Sequence, residues 1–439
     1  MRIAFIGAGS VIFTQKLIGD ILGFAELRGV TLALHDIDPE RLRVAGSIAR
    51  REAERCGAAP VIEEHLDRRR AIDGADVVLN MVQVGGHAST LVDFEVPARF
   101  GLPQTIADTL GIGGIFRALR TIPVMQQVAA DMHDVSNDAW LLNYTNPMAA
   151  LTWATYAGTQ VTRVVGLCHS VQYTVRDLAS IIGISETDVR FLGAGVNHQA
   201  FLLRLEHATT GVSLYPLLDA ALERDPDGLG RRVRMELYRR FGYFPTESSE
   251  HLAEYLPWIM RDPAEIEHYR TPVDEYVRRS EQNTADYERV RDLVDAGEPV
   301  PAAEESVEYA ASIIHSLATG SPSVFYGNVR NDGFITNLPG GACVEVPCLV
   351  DGLGVHPTTI GDLPPQLAAL NRTYLNPVEL TVRAAIDENP DHVRHAALLD
   401  PSTAATLSIT QTHELVDALI VAHGDVLPAW LRASAPVRA

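Results

Sequence analysis

Short apolar runs alternate with longer amphipathic stretches over the first 195 residues of the chain. Five runs have the length and β-branched content of buried strands, and they read RIAFIG, VTLALHD, DVVLNMV, AWLLNYT and TRVVGLC. The segments between them show apolar residues at helical spacing. Strands that alternate with helices predict a parallel sheet with helices on both faces, the doubly wound arrangement of Rossmann-type α/β domains.

The pattern changes after residue 210. Charged amphipathic stretches around 214–241, 263–296 and 304–317 predict helices, and the chain from Pro364 onward is helical again. The interval 323–350 carries Asn and Gly turn signals between β-branched runs, which predicts antiparallel strands. A chain of this length usually forms more than one core. We therefore expect a Rossmann-type domain over 1–195 and an α+β domain over 196–439.

The first predicted strand runs into the glycine-containing segment 7–10. Gly7 permits a tight turn, and Gly9 and Ser10 open the following helix, where backbone amides can approach a pyrophosphate. Asp36 ends the second predicted strand and is placed to bind ribose hydroxyls, which favours NAD over NADP. Ile12 replaces the third glycine of GxGxxG, and glycines alone could serve a turn. Glycines, strand context and Asp36 together predict an NAD site.

Composition narrows the partners. The chain has 439 residues, with 36 Lys and Arg against 56 Asp and Glu, for a formal net charge of −20. Such a surface repels nucleic acid and anionic lipid. The four cysteines are too few and scattered for a disulfide framework, and no apolar stretch approaches the length of a membrane span. These features predict a soluble cytoplasmic protein with neither nucleic-acid nor membrane partners.

Polar residues follow several predicted strands, where ligands bind in doubly wound sheets. They are Asn143 to Pro147, Cys168 to Val171, and Asn197 with His198. Cys168 and His198 form a candidate metal site with open positions for substrate oxygens. Each also has an ordinary alternative, since cysteines and lone histidines are frequent core residues. Cys343 and Cys348 are interpreted as core residues.

Two further segments carry charged side chains. Asp108 precedes a glycine-rich turn and a helix predicted to begin near Gly114, so it is either an N-terminal cap or a substrate contact, and the cap is the simpler interpretation. The segment 246–251, TESSEH, is dense in acid–base groups. Such clusters are more often solvated loops than active sites.

Many motifs together resemble glycoside hydrolase family 4, in the family's order and over nearly the whole chain. They are GAGSVIFTQKL, LHDID, ADTLGIGGIFRALRTIP, NYTNPM, GLCHSV, GVNHQAF, RRFGYFPTESSEH and FITNLPGGACVEVP. The tetrapeptide 168–171, CHSV, is similar to the α-galactosidase version of the family's metal motif. The resemblance therefore implies α-galactosides such as melibiose as substrates. Family members of other types cleave α-glucosides, α-glucuronides, α-galacturonides or phosphorylated glycosides.

The resemblance implies a mechanism that differs from the usual two-carboxylate hydrolysis. NAD⁺ takes hydride from C3 of the sugar, and the ketone acidifies the proton on C2. A divalent ion, usually Mn²⁺, stabilises the resulting enolate while a base removes the proton. The aglycone leaves by elimination, water adds and the hydride returns. The net reaction is hydrolysis, and a homodimer or homotetramer is expected by the same resemblance.

The family's functional residues carry over by motif position, less directly for the acid and the base. The implied roles are metal ligands for Cys168 and His198, NAD contacts for Gly7, Gly9, Ser10 and Asp36, substrate contacts for Asn143, Asn146 and Asp108, and catalytic groups for His169, Tyr255 and Arg278. His169 stands where relatives acting on phosphoglycosides carry an acidic Asp. Tyr255 and Arg278 rest on approximate spacing. The alternatives are a hydroxy-acid dehydrogenase and a nucleotide-sensing protein without turnover.

Overall fold

The computed structural model describes residues 1–303 and 307–435. Its strands are β1 (Arg2–Ile6), β2 (Thr31–His35), β3 (Val61–His65), β4 (Val77–Asn80), β5 (Trp140–Asn143), β6 (Val164–Leu167), β7 (Val189–Ala194), β8 (Phe201–His207), β9 (Phe244–Pro245), β10 (Ser323–Arg330), β11 (Cys343–Asp351) and β12 (Gly354–Pro357). Among the helices that it describes, none has the length and apolarity needed to cross a membrane.

The helices account for most of the remaining chain. They are α1 (Val11–Gly23), α2 (Pro39–Arg55), α3 (Arg68–Ile72), α4 (Gly86–Arg99), α5 (Gly111–Val135), α6 (Met148–Gly158), α7 (Ser170–Ile182), α8 (Tyr215–Arg224), α9 (Val233–Phe241), α10 (Ser249–Tyr255), α11 (Pro263–His268), α12 (Glu275–Asp295), α13 (Ala310–Thr319), α14 (Pro365–Ile386), α15 (Pro390–Leu399), α16 (Pro401–Thr406), α17 (Ile409–His423) and α18 (Ala429–Arg432).

Six parallel strands form the Rossmann part of a nine-stranded sheet. Their order is β6-β5-β4-β1-β2-β3, which is the doubly wound order with its reversal between β1 and β4. The predicted parallel sheet is confirmed, and all five predicted runs are strands within it. The sequence did not indicate β3, because its residues are half-exposed and include two glutamates.

Strands from the second half of the chain extend the same sheet. β10 pairs antiparallel with β6, where Gly327 lies opposite Leu167 and Asn328 opposite Gly166. β11 and β12 continue outward, also antiparallel. The antiparallel strands predicted for 323–350 are therefore confirmed, but their union with the Rossmann sheet was not expected. This union places β10 and β11 beside the strand that leads to Cys168.

The remaining strands and helices form the α+β part. β7, β8 and β9 make a small antiparallel sheet, flanked by α7, α8 and α9. The helices predicted within 214–241 and 263–296 are present as α8, α9, α11 and α12. The predicted start of the next helix, Glu304, lies outside the described residues, and α13 begins at Ala310. A Rossmann-type sheet with an additional α+β part is confirmed, and the boundary at residue 195 stays a prediction.

A buried ion network joins the C-terminal helices to the Rossmann part. Arg120 on α5 donates to both carboxylate oxygens of Asp93 on α4, at 3.0 and 2.5 Å. The side chain of Arg120 is 1% exposed and that of Asp93 is 3% exposed. His423, at the end of α17, lies 3.0 Å from the same carboxylate. Since buried charges are stable when paired, this network fixes α17 against α4 and α5.

Candidate active site

The turn after β1 has the geometry of a nucleotide-binding loop. Gly7 has φ +88°, and a Cβ there would lie 3.1 Å from the backbone of Met81. Ser10 precedes α1 without capping it through its side chain. The first amides of α1 therefore lack a side-chain acceptor at the edge where the strand order reverses, which suits an anionic pyrophosphate.

Gly9 and Asp36 are in direct contact. The Gly9 amide donates to Asp36 Oδ2 at 2.7 Å, and a Cβ on Gly9 would lie 2.5 Å from that oxygen. Glycine at position 9 therefore has two reasons: the close approach of a pyrophosphate that the sequence predicts, and the contact with the Asp36 carboxylate. Arg41, which the sequence analysis did not consider, donates to the Gly9 carbonyl at 3.1 Å and stacks on Tyr287.

The segment after β5 separates two residues that were expected to bind substrate. Asn143 is buried, and its Oδ1 accepts from Asn80 and from the Thr145 amide, at 2.8 and 3.1 Å. Its Nδ2 donates to the Thr145 carbonyl, so the contacts of Asn143 are internal. Asn146 instead donates from Nδ2 to Asp108 Oδ2 at 2.9 Å. The structure thus brings Asn146 and Asp108 together and leaves Asn143 in a supporting position.

Three possible metal ligands converge where β6, β7 and the segment before α10 meet. Cys168 Sγ lies 3.3 Å from His198 Nε2, and Glu247 Oε2 lies 3.4 Å from the same nitrogen. For bonds of about 2.1–2.3 Å that meet at a metal ion with octahedral or tetrahedral angles, donor atoms are separated by roughly 3.0–3.8 Å. A soft thiolate, an imidazole and a hard carboxylate also form a donor set that fits a divalent transition metal. The residues present therefore fit such an ion.

The tautomer of His198 follows from its other neighbours. Thr109 Oγ1 donates its single proton to Asp108 Oδ1 at 2.7 Å, so towards His198 Nδ1, 3.0 Å away, it acts as an acceptor. The Nδ1 proton of His198 satisfies it. Because a metal-bound imidazole is neutral, Nε2 would then offer its lone pair to an ion, on the side of the ring that faces Cys168 and Glu247. This is how a supporting hydrogen bond prepares a histidine for metal binding.

Asp108 is not the helix cap that the sequence analysis preferred. α5 begins at Gly111 with Leu110 before it and no side-chain cap, and the Gly111 amide donates to Asp400 Oδ2 at 3.1 Å. Asp108 faces the cluster instead, with Oδ1 3.4 Å from His251 Nε2. The cap interpretation was wrong because a distant residue, Asp400, occupies the helix start.

The segment 246–251 is part of the cluster and not a solvated loop. The side chains of Glu247 and His251 are 13% and 11% exposed, and His251 Nδ1 lies 3.6 Å from Glu247 Oε1. Burial opposes ionisation of Asp108 and Glu247, but the neighbouring histidines outweigh it and hold the pKa of both carboxyls below the usual range. Burial raises the pKa of the Cys168 thiol to about 12, so a thiolate needs a cation beside it.

Tyr255 and His169 approach the cluster from two sides. The Tyr255 hydroxyl lies 3.2 Å from His198 Nδ1, and its side chain is fully buried on α10. His169 precedes α7, and its Nδ1 lies 3.0 Å from Glu308 Oε1. Partial burial lowers the pKa of His169, but the Glu308 carboxylate outweighs it and raises the pKa to about 9. At neutral pH His169 therefore carries a proton.

The structure does not bring Arg278 to this cluster. Its guanidinium is exposed and donates to the Val273 carbonyl and to Glu275 on its own helix. The buried arginine beside the cluster is Arg117 on α5, which donates to the Asn146 carbonyl at 3.2 Å. Sequence reasoning missed Arg117, Glu247 and His251. One signal for His251 was available, since it lies four residues before Tyr255 and so shares its helical face.

Comparisons with known proteins find relatives over nearly the whole chain. The profile described as "Family 4 glycosyl hydrolase" matches residues 2–184, and that of the family's C-terminal domain matches residues 193–403. An alpha-galactosidase of Bacillus subtilis (strain 168) is 44% identical over 433 residues, covering 98% of this chain and 99% of the relative. An alpha-galactosidase of Rhizobium meliloti (strain 1021) is 35% identical over 443 residues, covering 98% and 90%.

Solved structures show the same fold. A 6-phospho-alpha-glucosidase from gut microorganisms, in complex with NAD and Mn²⁺, superposes with a TM-score of 0.80 at 19% identity. The match covers 97% of this chain and 99% of that chain. At this identity the likeness establishes the architecture.

Proposed function

The chain belongs to family 4 of the glycosyl hydrolases, and we propose that within this family it hydrolyses α-galactosides with the help of NAD⁺ and a divalent metal ion. The observation that supports this substrate most is the 44% identity to an alpha-galactosidase over 98% of the chain. The tetrapeptide Cys168-His169-Ser170-Val171, which resembles the α-galactosidase type of the family motif, supports it independently.

Cys168, His198 and Glu247 would hold the ion. The first two follow from the motif, and the third from its 3.4 Å separation from His198 Nε2. The loop at Gly7, the start of α1 and the Asp36 carboxylate would hold the dinucleotide. When bound, NAD⁺ accepts hydride from C3 of the sugar and later returns it, while the divalent ion polarises the adjacent oxygens.

Tyr255 would take the proton from C2. Burial raises the pKa of Tyr255 well above its ordinary value, and the nearby Tyr374 and Asp108 raise it further. The phenol therefore stays protonated until positive charge is brought close to it. His169 would donate a proton to the glycosidic oxygen, since its imidazole lies at the half-exposed rim beside Cys168. Asp108, oriented by Asn146 and Thr109, would accept a hydrogen bond from a sugar hydroxyl.

The charges of the cluster favour a neutral sugar. Asp108 and Glu247 are buried carboxylates whose pKa values lie below their usual range. Among the described residues that contact Asn146 or Asp108, the permanent cation is Arg117, and its guanidinium already binds the Asn146 carbonyl and the Tyr276 hydroxyl. A uronate or a 6-phosphate placed beside Asp108 would meet its carboxylate. This supports α-galactosides over α-galacturonides and phosphorylated glycosides.

A glycoside panel tests the substrate. With NAD⁺, Mn²⁺ and a reducing agent, we expect p-nitrophenyl α-galactoside to be cleaved with a higher kcat/KM than the α-glucoside, the α-galacturonide or a 6-phosphoglycoside, with no net NADH. A higher kcat/KM for another glycoside would reassign the substrate. Stoichiometric NADH from lactate or malate would indicate a dehydrogenase. Retained NAD⁺ without cleavage of any glycoside would indicate a nucleotide-sensing protein.

Solvent deuterium tests the mechanism. We expect the galactose released in D₂O to carry deuterium on C2, and product without it would contradict proton abstraction from that carbon. The Cys168→Ser variant should lose both Mn²⁺ affinity and activity. Cys56→Ser is the matched control, because Cys56 is a half-buried cysteine at the end of α2 whose sulfur contacts the Gly19 carbonyl at 3.9 Å. Full activity of Cys168→Ser would refute the assigned metal site.

A further inference from the structure

A cavity of about 460 Å³ lies beside the start of α10. Four arginines line it, Arg231, Arg232, Arg234 and Arg270, against two carboxylates, Asp225 and Glu250. We call this cavity and its lining residues the arginine pocket. The pocket wall thus carries more positive than negative side chains, whereas the whole chain has a formal net charge of −20. Guanidinium groups gathered around a concave surface favour a bound oxyanion.

Two buried polar groups in the wall have no partner among the described residues. Thr271 is 8% exposed, and its Oγ1 makes no hydrogen bond to them. Arg234 donates from Nη1 to Asp177 and from Nη2 to Thr174, at 3.0 and 3.2 Å, but its Nε is unpaired. Both atoms have almost no accessible surface, so a ligand in the pocket would contact the exposed guanidinium groups of the wall and not these two atoms.

The other arginines have donors to spare. Arg231 is held in place by bonds from Nε to the His268 carbonyl at 2.7 Å and from Nη2 to the Glu267 carbonyl at 3.3 Å. Arg270 makes no ion pair with a carboxylate in the described part of the chain. A guanidinium has five N–H donors in a planar fork. Its geometry matches two oxygens of a phosphate group.

The remaining lining suits a polyhydroxylated molecule. Ser248 and Ser249 contribute hydroxyls, and Tyr269 contributes an aromatic ring. A volume of about 460 Å³ falls within the range of small-molecule sites and exceeds what inorganic phosphate fills. We propose that the arginine pocket binds a small phosphorylated sugar, with the phosphate on the arginines and the sugar against Tyr269 and the hydroxyls.

The pocket shares a wall with the candidate active site. The Ser248 amide donates to Glu247 Oε1 at 2.7 Å, and Ser248 Oγ lies 3.2 Å from His251 Nδ1. A ligand that contacts Ser248 therefore reaches Glu247 and His251 through one residue. We therefore expect a ligand in the pocket to change KM for the glycoside. This effect on KM rests on the proposed glycosidase function, whereas binding of the phosphorylated sugar does not.

Isothermal titration calorimetry of the full-length protein with glucose 6-phosphate tests whether a phosphorylated sugar binds the arginine pocket. Glucose and inorganic phosphate are the reference probes. We expect one site per chain that binds glucose 6-phosphate more tightly than either reference. Arg270→Gln should weaken binding by about tenfold or more. Arg240→Gln, which makes the same charge change on α9 outside the pocket, should leave it unchanged. Arg232→Gln provides a second variant, with weaker binding expected, should Arg270→Gln fail to fold.

The active site is the competing location for this probe. Binding that persists in Cys168→Ser and in the presence of saturating galactose supports the arginine pocket. Loss of binding in Cys168→Ser, or equal affinity in the parent protein and Arg270→Gln, would overturn the proposal. Because Cys168→Ser removes the proposed metal chemistry, failure of the glycosidase function leaves the binding result interpretable.

Discussion

Replacing Glu247 by Gln tests the metal site that the geometry assigns. The substitution keeps the shape of the side chain and removes one negative charge, 3.4 Å from His198 Nε2. We expect the protein to remain folded, because Gln can still accept the Ser248 amide bond that Glu247 accepts at 2.7 Å. What changes is the charge beside the ion.

The size of the effect follows from the separation. A unit charge pair about 4 Å apart interacts by about 4 kcal/mol at an effective dielectric constant of 20, and a divalent ion doubles this. Water that replaces the carboxylate, and the smaller desolvation of Gln, offset most of that gain. A net loss of about 1.4–2.7 kcal/mol remains, which raises the Kd for Mn²⁺ by roughly 10- to 100-fold.

Electron paramagnetic resonance of free Mn²⁺ measures this Kd without relying on activity. Glu250→Gln is the matched control, since it removes the same charge three residues away, from a side chain that lines the arginine pocket. We expect its Mn²⁺ affinity to stay within about threefold of the parent protein. An equally small change in Glu247→Gln would refute Glu247 as a ligand and leave Cys168 and His198 as the protein's metal-binding pair.

Two further predictions concern folding and cofactor binding. Asp93→Ala leaves the buried Arg120 guanidinium without its carboxylate, and it should lower the free energy of unfolding, measured by urea titration, by about 3–5 kcal/mol. The control is Glu95→Ala, which breaks an exposed ion pair with Arg99 and should change this free energy by less than about 1 kcal/mol. Equal effects of the two variants would contradict the role of the buried pair. Gly9→Ala places a Cβ 2.5 Å from Asp36 Oδ2. It should weaken NAD⁺ binding, measured by fluorescence titration, by at least about tenfold. An unchanged affinity would show that the loop relaxes to accept the methyl group.

The Rossmann sheet was predictable because its evidence is local. Each of the five predicted runs is a continuous apolar segment that forms a buried strand, and the glycine loop directly follows the first of these strands. β3 escaped because one half-exposed edge strand with two glutamates lacks that signal. The place of β10 beside β6 also escaped, since nothing within residues 323–330 encodes a partner more than 150 positions earlier.

The candidate site divides in the same way. Cys168, His198 and Asn146 follow predicted strands, and motif position was enough to select them. Glu247 and His251 lie in a segment that has the composition of a polar loop, and they pack against His198 and Asp108, which come much earlier in the chain. A long-range contact also explains the wrong cap prediction for Asp108. The Gly111 amide at the start of α5 binds the carboxylate of Asp400, which lies 289 positions later in the chain. Local patterns locate strand ends, but they do not reveal which distant segment closes over them.

The attachment of β10 to β6 has a consequence for biosynthesis. Until residues 323–330 leave the ribosome, β6 presents an unpaired backbone edge at the margin of an otherwise formed sheet. A fragment that stops at residue 195 would keep that edge open permanently. We expect such a fragment to self-associate, and we therefore expect the unit that folds independently to include β10.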